Sequence, residues 1–218
     1  MEKRKIIFGT YDTSLNGWTL TEWIFEAPVY KANFVSVPGR DGDLDLSTSL
    51  TGGEPVYNSR MLTATFESSE ETRLIRETII NTMVNKLDGI RMKIYIPDDN
   101  DHYLEGRVHV EKKYNDIAHA SVIITAVCDP WRYSKEETAV TISASTTEMT
   151  TSLQNNSKKS IVPLIEVTSS SIHVTYGDKT WDLSKGKYKL PDFCVPPGTS
   201  SVKYKEGTAI IKYRQVIL

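Results

Sequence analysis

Asp41, Asp43 and Asp45 alternate along the chain as the first, third and fifth ligands of a calcium loop do. Such a loop needs glycine at its sixth position and a bidentate glutamate at its twelfth; here they are Leu46 and Gly52, so no metal is expected. His102, His109, His119 and His173 have no ligand spacing, and His109, between Val108 and Val110, reads as the solvent side of a strand. Cys128 ends the apolar run 123–128 and Cys194 follows Phe193. Their neighbours favour two buried thiols over a disulfide, and no histidine or nucleophile signature accompanies either. Gly-x-Ser-x-Gly, Walker A and dinucleotide fingerprints do not occur. No catalytic residue and no cofactor is expected. The many carboxylates leave open whether any two face each other at glycosidase distance.

Trp181, with Tyr176 and Tyr188 nearby, is the one group that could stack on a sugar. Core packing competes with that reading, because Trp181 and Leu183 alternate on one strand face as a β interior demands. Asn155, Asn156, Ser157, Lys158 and Lys159 read as a solvated turn.

The elements that must position these residues are mostly strands. Leu74, Ile75, Ile79, Met83 and Leu87 fall on one face of a helix between Ser68 and Gly89, with Ser68 and Glu71 as a capping box and Lys86 near its end. Residues 91–96 and 104–111 alternate around the turn 97–101 as an antiparallel hairpin. A third strand, 118–127, should stop before Pro130, which cannot donate to a ladder. Beyond Tyr133, residues 138–156 are rich in Ser, Thr and Asn. Strands are expected at 161–167, 172–176, 180–183, 188–190 and 209–213, with turns at 177–178, 185–186 and 196–198.

Composition sets limits. The 218 residues can bury one or two cores, and a net charge of −2 gives no whole-molecule attraction for phosphate. The basic start, residues 1–5, precedes no apolar segment of signal-peptide length. No stretch reaches the ~20 apolar residues of a membrane span, so maturation in a cytoplasm without membrane contact is expected.

The segment 37–47 (VPGRDGDLDLS), then Leu50-Thr-Gly-Gly and the strand-like 60–66, has no catalytic logic. Pro38-Gly39 and Asp41-Gly42 are turn dipeptides, after which Leu44 and Leu46 alternate with the aspartates as two apolar anchors. This segment resembles the signature of the siphophage distal tail protein family. Ile7-Phe8-Gly9, Gly17-Trp18, Ala27-Pro28 with Lys31, and 34–37 precede it in the family's order; Asp129-Pro130-Trp131 resembles the family's domain boundary, and 186–193, Pro197-Gly198 and 210–214 its close.

The resemblance implies a mainly β chain. Residues 1–130 would be an α+β, β-sandwich-like tail-tube domain with one α-helix and a β-hairpin; residues 131–218 would be a small galectin-like or carbohydrate-module-like β-sandwich. It further implies a structural, non-enzymatic protein of a phage or prophage: a homo-hexameric ring linking the tail tube to the tail-tip hub and baseplate. DNA would pass through the ring without specific binding. The implied partners are the tail tube protein, the tape-measure protein, a trimeric tail-associated hub protein and a receptor-binding protein. The implied location is the virion tail tip, assembled in the host cytoplasm. A carbohydrate-binding tail-tip module for host attachment is the alternative. Arg40, Asp41, Asp43, Leu44, Asp45 and Leu46 are the candidate inter-subunit contact, since a turn-fixed Arg40 fork could pair with a neighbour's carboxylate or with one of its own chain.

Overall fold

The structure, a computed structural model, describes residues 4–70, 72–116 and 118–218. It divides into two compact units, Met1–Arg132 with Leu218, and Tyr133–Ile217.

The first unit contains β1 (Ile7–Phe8), β2 (Tyr11–Asp12), β3 (Thr19–Phe25), β4 (Phe34–Val35), β5 (Leu44–Asp45), β6 (Arg60–Ser68), helix α1 (Arg73–Leu87), β7 (Arg91–Tyr95), β8 (His102–Asn115) and β9 (Ala120–Cys128). Seven of these strands form an antiparallel sheet in the order β2-β1-β7-β8-β9-β6-β3. β7 and β8 are the expected hairpin, with Arg91 opposite Arg107 and Ile94 opposite Leu104. β6 alternates buried and outward residues, so Leu62, Ala64 and Phe66 meet Val122, Ile124 and Ala126 of β9 in one core.

The helix sits in the expected place and buries part of the expected face: Met83 and Leu87 are in the core and Ile79 packs against it. Its buried residues are Arg76, Ile80, Met83 and Leu87, whereas Leu74 is 77% exposed and Ile75 43%. The difference lies in the first turns, where Arg76 is buried in place of Leu74 and Ile75. The Arg76 guanidinium is 1% exposed and donates to Asn115 Oδ1 at 3.2 Å, to the Glu70 carbonyl at 2.5 Å and to the Asp116 carbonyl at 2.6 Å. Those acceptors make burial of an arginine tolerable. The cap is also corrected: Ser68 ends β6, and the Thr72 side chain accepts from the Ile75 amide at 3.2 Å. Glu71, the other half of the expected capping box, lies outside the described residues.

In the second unit the short strands β10 (Arg132–Ser134) and β17 (Val216–Ile217) accompany β11 (Thr138–Ala144), β12 (Met149–Asn155), β13 (Leu164–Tyr176), β14 (Lys179–Lys189), β15 (Gly198–Lys205) and β16 (Gly207–Tyr213). The Ser/Thr/Asn-rich stretch, in which the sequence placed no individual strand, supplies β11 and β12, and the pairs of short strands expected at 161–176 and 180–190 are the single long strands β13 and β14. β13 can stay continuous because it changes partner along its length: Leu164–Val167 pair with β16 and His173–Thr175 with β15, on either side of a register shift between Val167 and Ser171. Ile142, Leu153, Ile165, Ile172, Val202, Ile211 and Phe193 form the core.

The segment read as a solvated turn is partly interior. Asn155 and Ser157 are buried, and the Asn155 amide donates to the carbonyls of Lys159 and Val195 at 2.9 and 2.8 Å. A side chain that satisfies two buried carbonyls at once replaces the water a surface turn would use.

Candidate assembly interface

Between Glu26 and Ser59, 34 consecutive residues, no residue is buried. This limb leaves the sheet at the end of β3 and returns at β6. Its foot is held firmly. Arg60, 7% exposed, donates through Nε to the Glu26 carbonyl at 2.6 Å and through Nη1 to the Pro130 carbonyl at 3.2 Å. It also lies 3.7 Å from the Phe25 ring centroid. Tyr57 meets Trp131 edge-on at 5.4 Å, and the Tyr30–Tyr57 bridge is flanked by Lys31 N to Val56 O at 2.7 Å and Asn58 N to Val29 O at 2.8 Å.

Farther out, the segment with the two turn dipeptides is a small hairpin. β4 and β5 pair antiparallel, Phe34 opposite Asp45 and Val35 opposite Leu44. Gly39 and Gly42 have φ of +81° and +74° with open space around them, so the turns require their backbone freedom and not their small size. The Asp45 side chain accepts from the Ser47 amide at 2.9 Å, and Ser47 Oγ accepts from the Asn33 amide at 2.9 Å. Hydrogen bonds from the Ser47 hydroxyl and amide lower the Asp45 carboxyl from its ordinary value.

The hairpin therefore has a fixed shape while its side chains stay uncovered. Arg40, Asp41, Asp43 and Asp45 are exposed, and Leu44 and Leu46 half-buried. No intrachain ion pair involves Arg40, Asp41, Asp43 or Asp45 among the described residues. Beside them stand exposed apolar groups that the sequence reading did not count among the contact residues: Val29, Tyr30, Phe34, Val35, Val37, Val56 and Leu50, the last 98% exposed. An apolar collection of that extent is unusual on a surface facing only water. Alternation alone could have flagged residues 34–37; the absence of any covering element could not be read locally.

The other candidates lie elsewhere. Tyr176 stacks on Phe193 at 4.5 Å and Trp181 meets the same ring at 6.0 Å; the Tyr176 hydroxyl donates to the Cys194 carbonyl and that of Tyr188 to the Ser184 carbonyl, both at 2.9 Å. Cys128 and Cys194 are free thiols, and burial pushes Cys128 up to about 12, far from a thiolate at neutral pH. Cys128 lines an open hollow of about 500 Å³ with Asp88, Arg91, Arg107, His109 and Asp129. There Arg91 pairs with Asp129 at 2.5 Å, His109 with Asp88 at 2.8 Å, and Arg107 donates to the Gly89 carbonyl at 2.5 Å. Asp12, Glu77, Asp88, Asp99, Asp116 and Glu166 are all lowered from the ordinary carboxylate value. That is the direction of acids held by donors, and opposite to a general acid. Among the described residues no three His, Cys, Asp or Glu side chains gather as a metal site.

A helix-backed antiparallel sheet with a long uncovered limb, followed by a second all-strand unit, defines a mainly β two-unit architecture. It is the fold of the SPP1 Dit protein, described as a paradigm of the hub adsorption apparatus in Gram-positive infecting phages: the TM-score is 0.73 with 14% identity, covering 100% of both chains. Chains of the phage p2 baseplate in its activated conformation match at a TM-score of 0.49 and 11% identity. The strontium form covers 96% of this chain and 98% of that one, and the calcium form 97% and 98%. No family model and no curated protein matches the chain.

Proposed function

We propose that this chain is a structural distal tail protein of a siphovirus-like phage or prophage, with six copies closing a ring that joins the tail tube to the tail-tip hub and surrounds the DNA channel. The observation that carries the reading is the limb at 26–59, anchored at its foot and without a buried residue along its length. The full-length likeness to SPP1 Dit supports it independently of the limb. A closed ring uses a heterologous contact, in which each copy offers two different surfaces. The limb is one of these, contributed by residues 1–130. Half-burial of its apolar side chains against a neighbour is worth about 1 kcal/mol for each, several in sum before ordering costs. The Arg40 fork adds register by taking a neighbour's carboxylate. The tube and tape-measure proteins above and the hub protein below are the corresponding partners. Native mass spectrometry tests the ring: the expected species carries six copies of the 24.6 kDa chain, in equilibrium with monomer on dilution. A monomer at every concentration would count against it.

A further inference from the structure

The two units carry opposite charge. Residues 133–217 hold eleven Lys and Arg against eight Asp and Glu, leaving 15 against 20 in the rest of the chain. Part of the positive surplus collects on one sheet face. β14 pairs with β13, which on its other side pairs with β16. Lys187 stands opposite Glu166, Lys189 opposite Leu164, and Lys212 opposite the same Leu164 from the far side. Cross-strand partners point to the same face, and Ile165 and Ile211, which alternate with these residues, face the core. The three ammonium groups therefore leave together on the outer side.

Their charges are only partly offset there. Lys212 Nζ lies 2.6 Å and Lys187 Nζ 3.4 Å from the two oxygens of Glu166, so two cations share one carboxylate. Lys189 has no anionic partner among the described residues, and the neighbouring Lys185 has none either. Lysines on an edge strand ordinarily block edge-to-edge pairing, which accounts for β14. It does not account for Lys212, which lies on a strand bonded on both sides, to β11 and β13.

We propose that the face bearing Lys187, Lys189 and Lys212 binds a flexible, base-free phosphodiester polymer of the polyol-phosphate type. Successive outward lysines on β14 are about 6.7 Å apart and the two-strand step to Lys212 is about 9.6 Å, a spacing that phosphates along an extended polymer can follow. Single-stranded nucleic acid fits less well, because its binding sites stack bases on aromatic side chains. The other outward residues of these rows are Leu164, Ile210, Thr141 and Ala139, with no ring among them. Glu166, paired with Lys187 and Lys212, competes with the polymer for these two cations.

The test is titration of the full-length chain with poly(glycerol phosphate) at low and physiological salt, with oligomer mass followed in parallel. Binding that weakens as salt rises is expected. Lys187→Glu with Lys189→Glu should weaken it by about tenfold or more, and Glu166→Gln should tighten it. Lys203→Gln removes one charge from β15 and should change binding by less than about twofold. Absence of binding at low salt, or equal loss in the Lys203 variant, would overturn the proposal. So would tighter binding of oligo(dT) than of poly(glycerol phosphate), or a fall in oligomer mass in the double variant with polymer binding intact.

Discussion

The two units handle exposed surface in different ways. In residues 133–217 no stretch longer than ten residues goes without a buried one, whereas the limb of the first unit runs for 34. The second unit is closed on its own core; the first keeps a shaped segment that adds nothing to its core. A segment ordered by its own hydrogen bonds loses less entropy when a partner covers it. The charge division runs alongside: the unit with the limb is acidic, the other basic.

The largest test removes one side of this comparison. A chain ending at Tyr133 should still assemble into rings by analytical ultracentrifugation, since the limb and its foot lie wholly within it. Rings that require residues 134–218 would move the contact into the second unit.

Next in size is Arg40→Glu. It should weaken assembly by about 2 kcal/mol per contact, the scale of a hydrogen bond to a charged group, and leave the monomer melting temperature unchanged. Sedimentation beside thermal melting separates the two effects. Unaltered oligomer mass would remove Arg40 from the contact.

Arg76→Ala sharpens the contrast from inside the first unit. It strips donors from Asn115 and two backbone carbonyls and should destabilise that unit by about 3 kcal/mol in urea unfolding. Leu74→Ala, on the outer face of the same helix, should cost under about 0.5 kcal/mol. Equal effects would restore the face first expected from the sequence.

That helix shows what the sequence could and could not reveal. Its place, and the part of its face at Ile79, Met83 and Leu87, were legible from the 3.6-residue period. The burial of its first turn was not, because burying Arg76 depends on acceptors at Asn115 and Asp116, 39 and 40 positions away. The β7–β8 hairpin was readable from alternation around a turn, a local signal. β11 and β12 escaped because Thr- and Ser-rich strands are specified by their partners: Ile142 meets Ala209 and Leu153 meets Ser200 only in three dimensions. At the limb, the turns at Gly39 and Gly42 were legible from their dipeptides, but its isolation from the core was not, since the residues that hold its foot, Arg60 and Trp131, follow it in the chain.

Acid should separate the units by a smaller margin. Burial alone would raise the Asp99 carboxyl, but the hydrogen bond and charge of His102 and the charge of Arg132 outweigh it and lower it. Asp12 is lowered against burial by Lys5 and Ser14. A carboxyl depressed in the folded state contributes stability above the ordinary carboxylate range and loses it as pH falls through that range toward its folded value. Both groups are largely covered and belong to the first unit, while Glu166 of the second is solvent-screened. The first unit should therefore unfold at the higher pH in an acid titration followed by circular dichroism, and Asp99→Asn should flatten its pH dependence. Simultaneous loss of both units would contradict this.

The central claim is that the limb joins copies and does not hold the first unit together. Replacing residues 32–55 with a short Gly-Ser turn, then recording native mass and far-ultraviolet melting on the same sample, tests it most directly. The account expects a monomer whose first unit melts within a few degrees of the parent. A hexamer that persists without the limb, or a first unit that no longer folds, would contradict it.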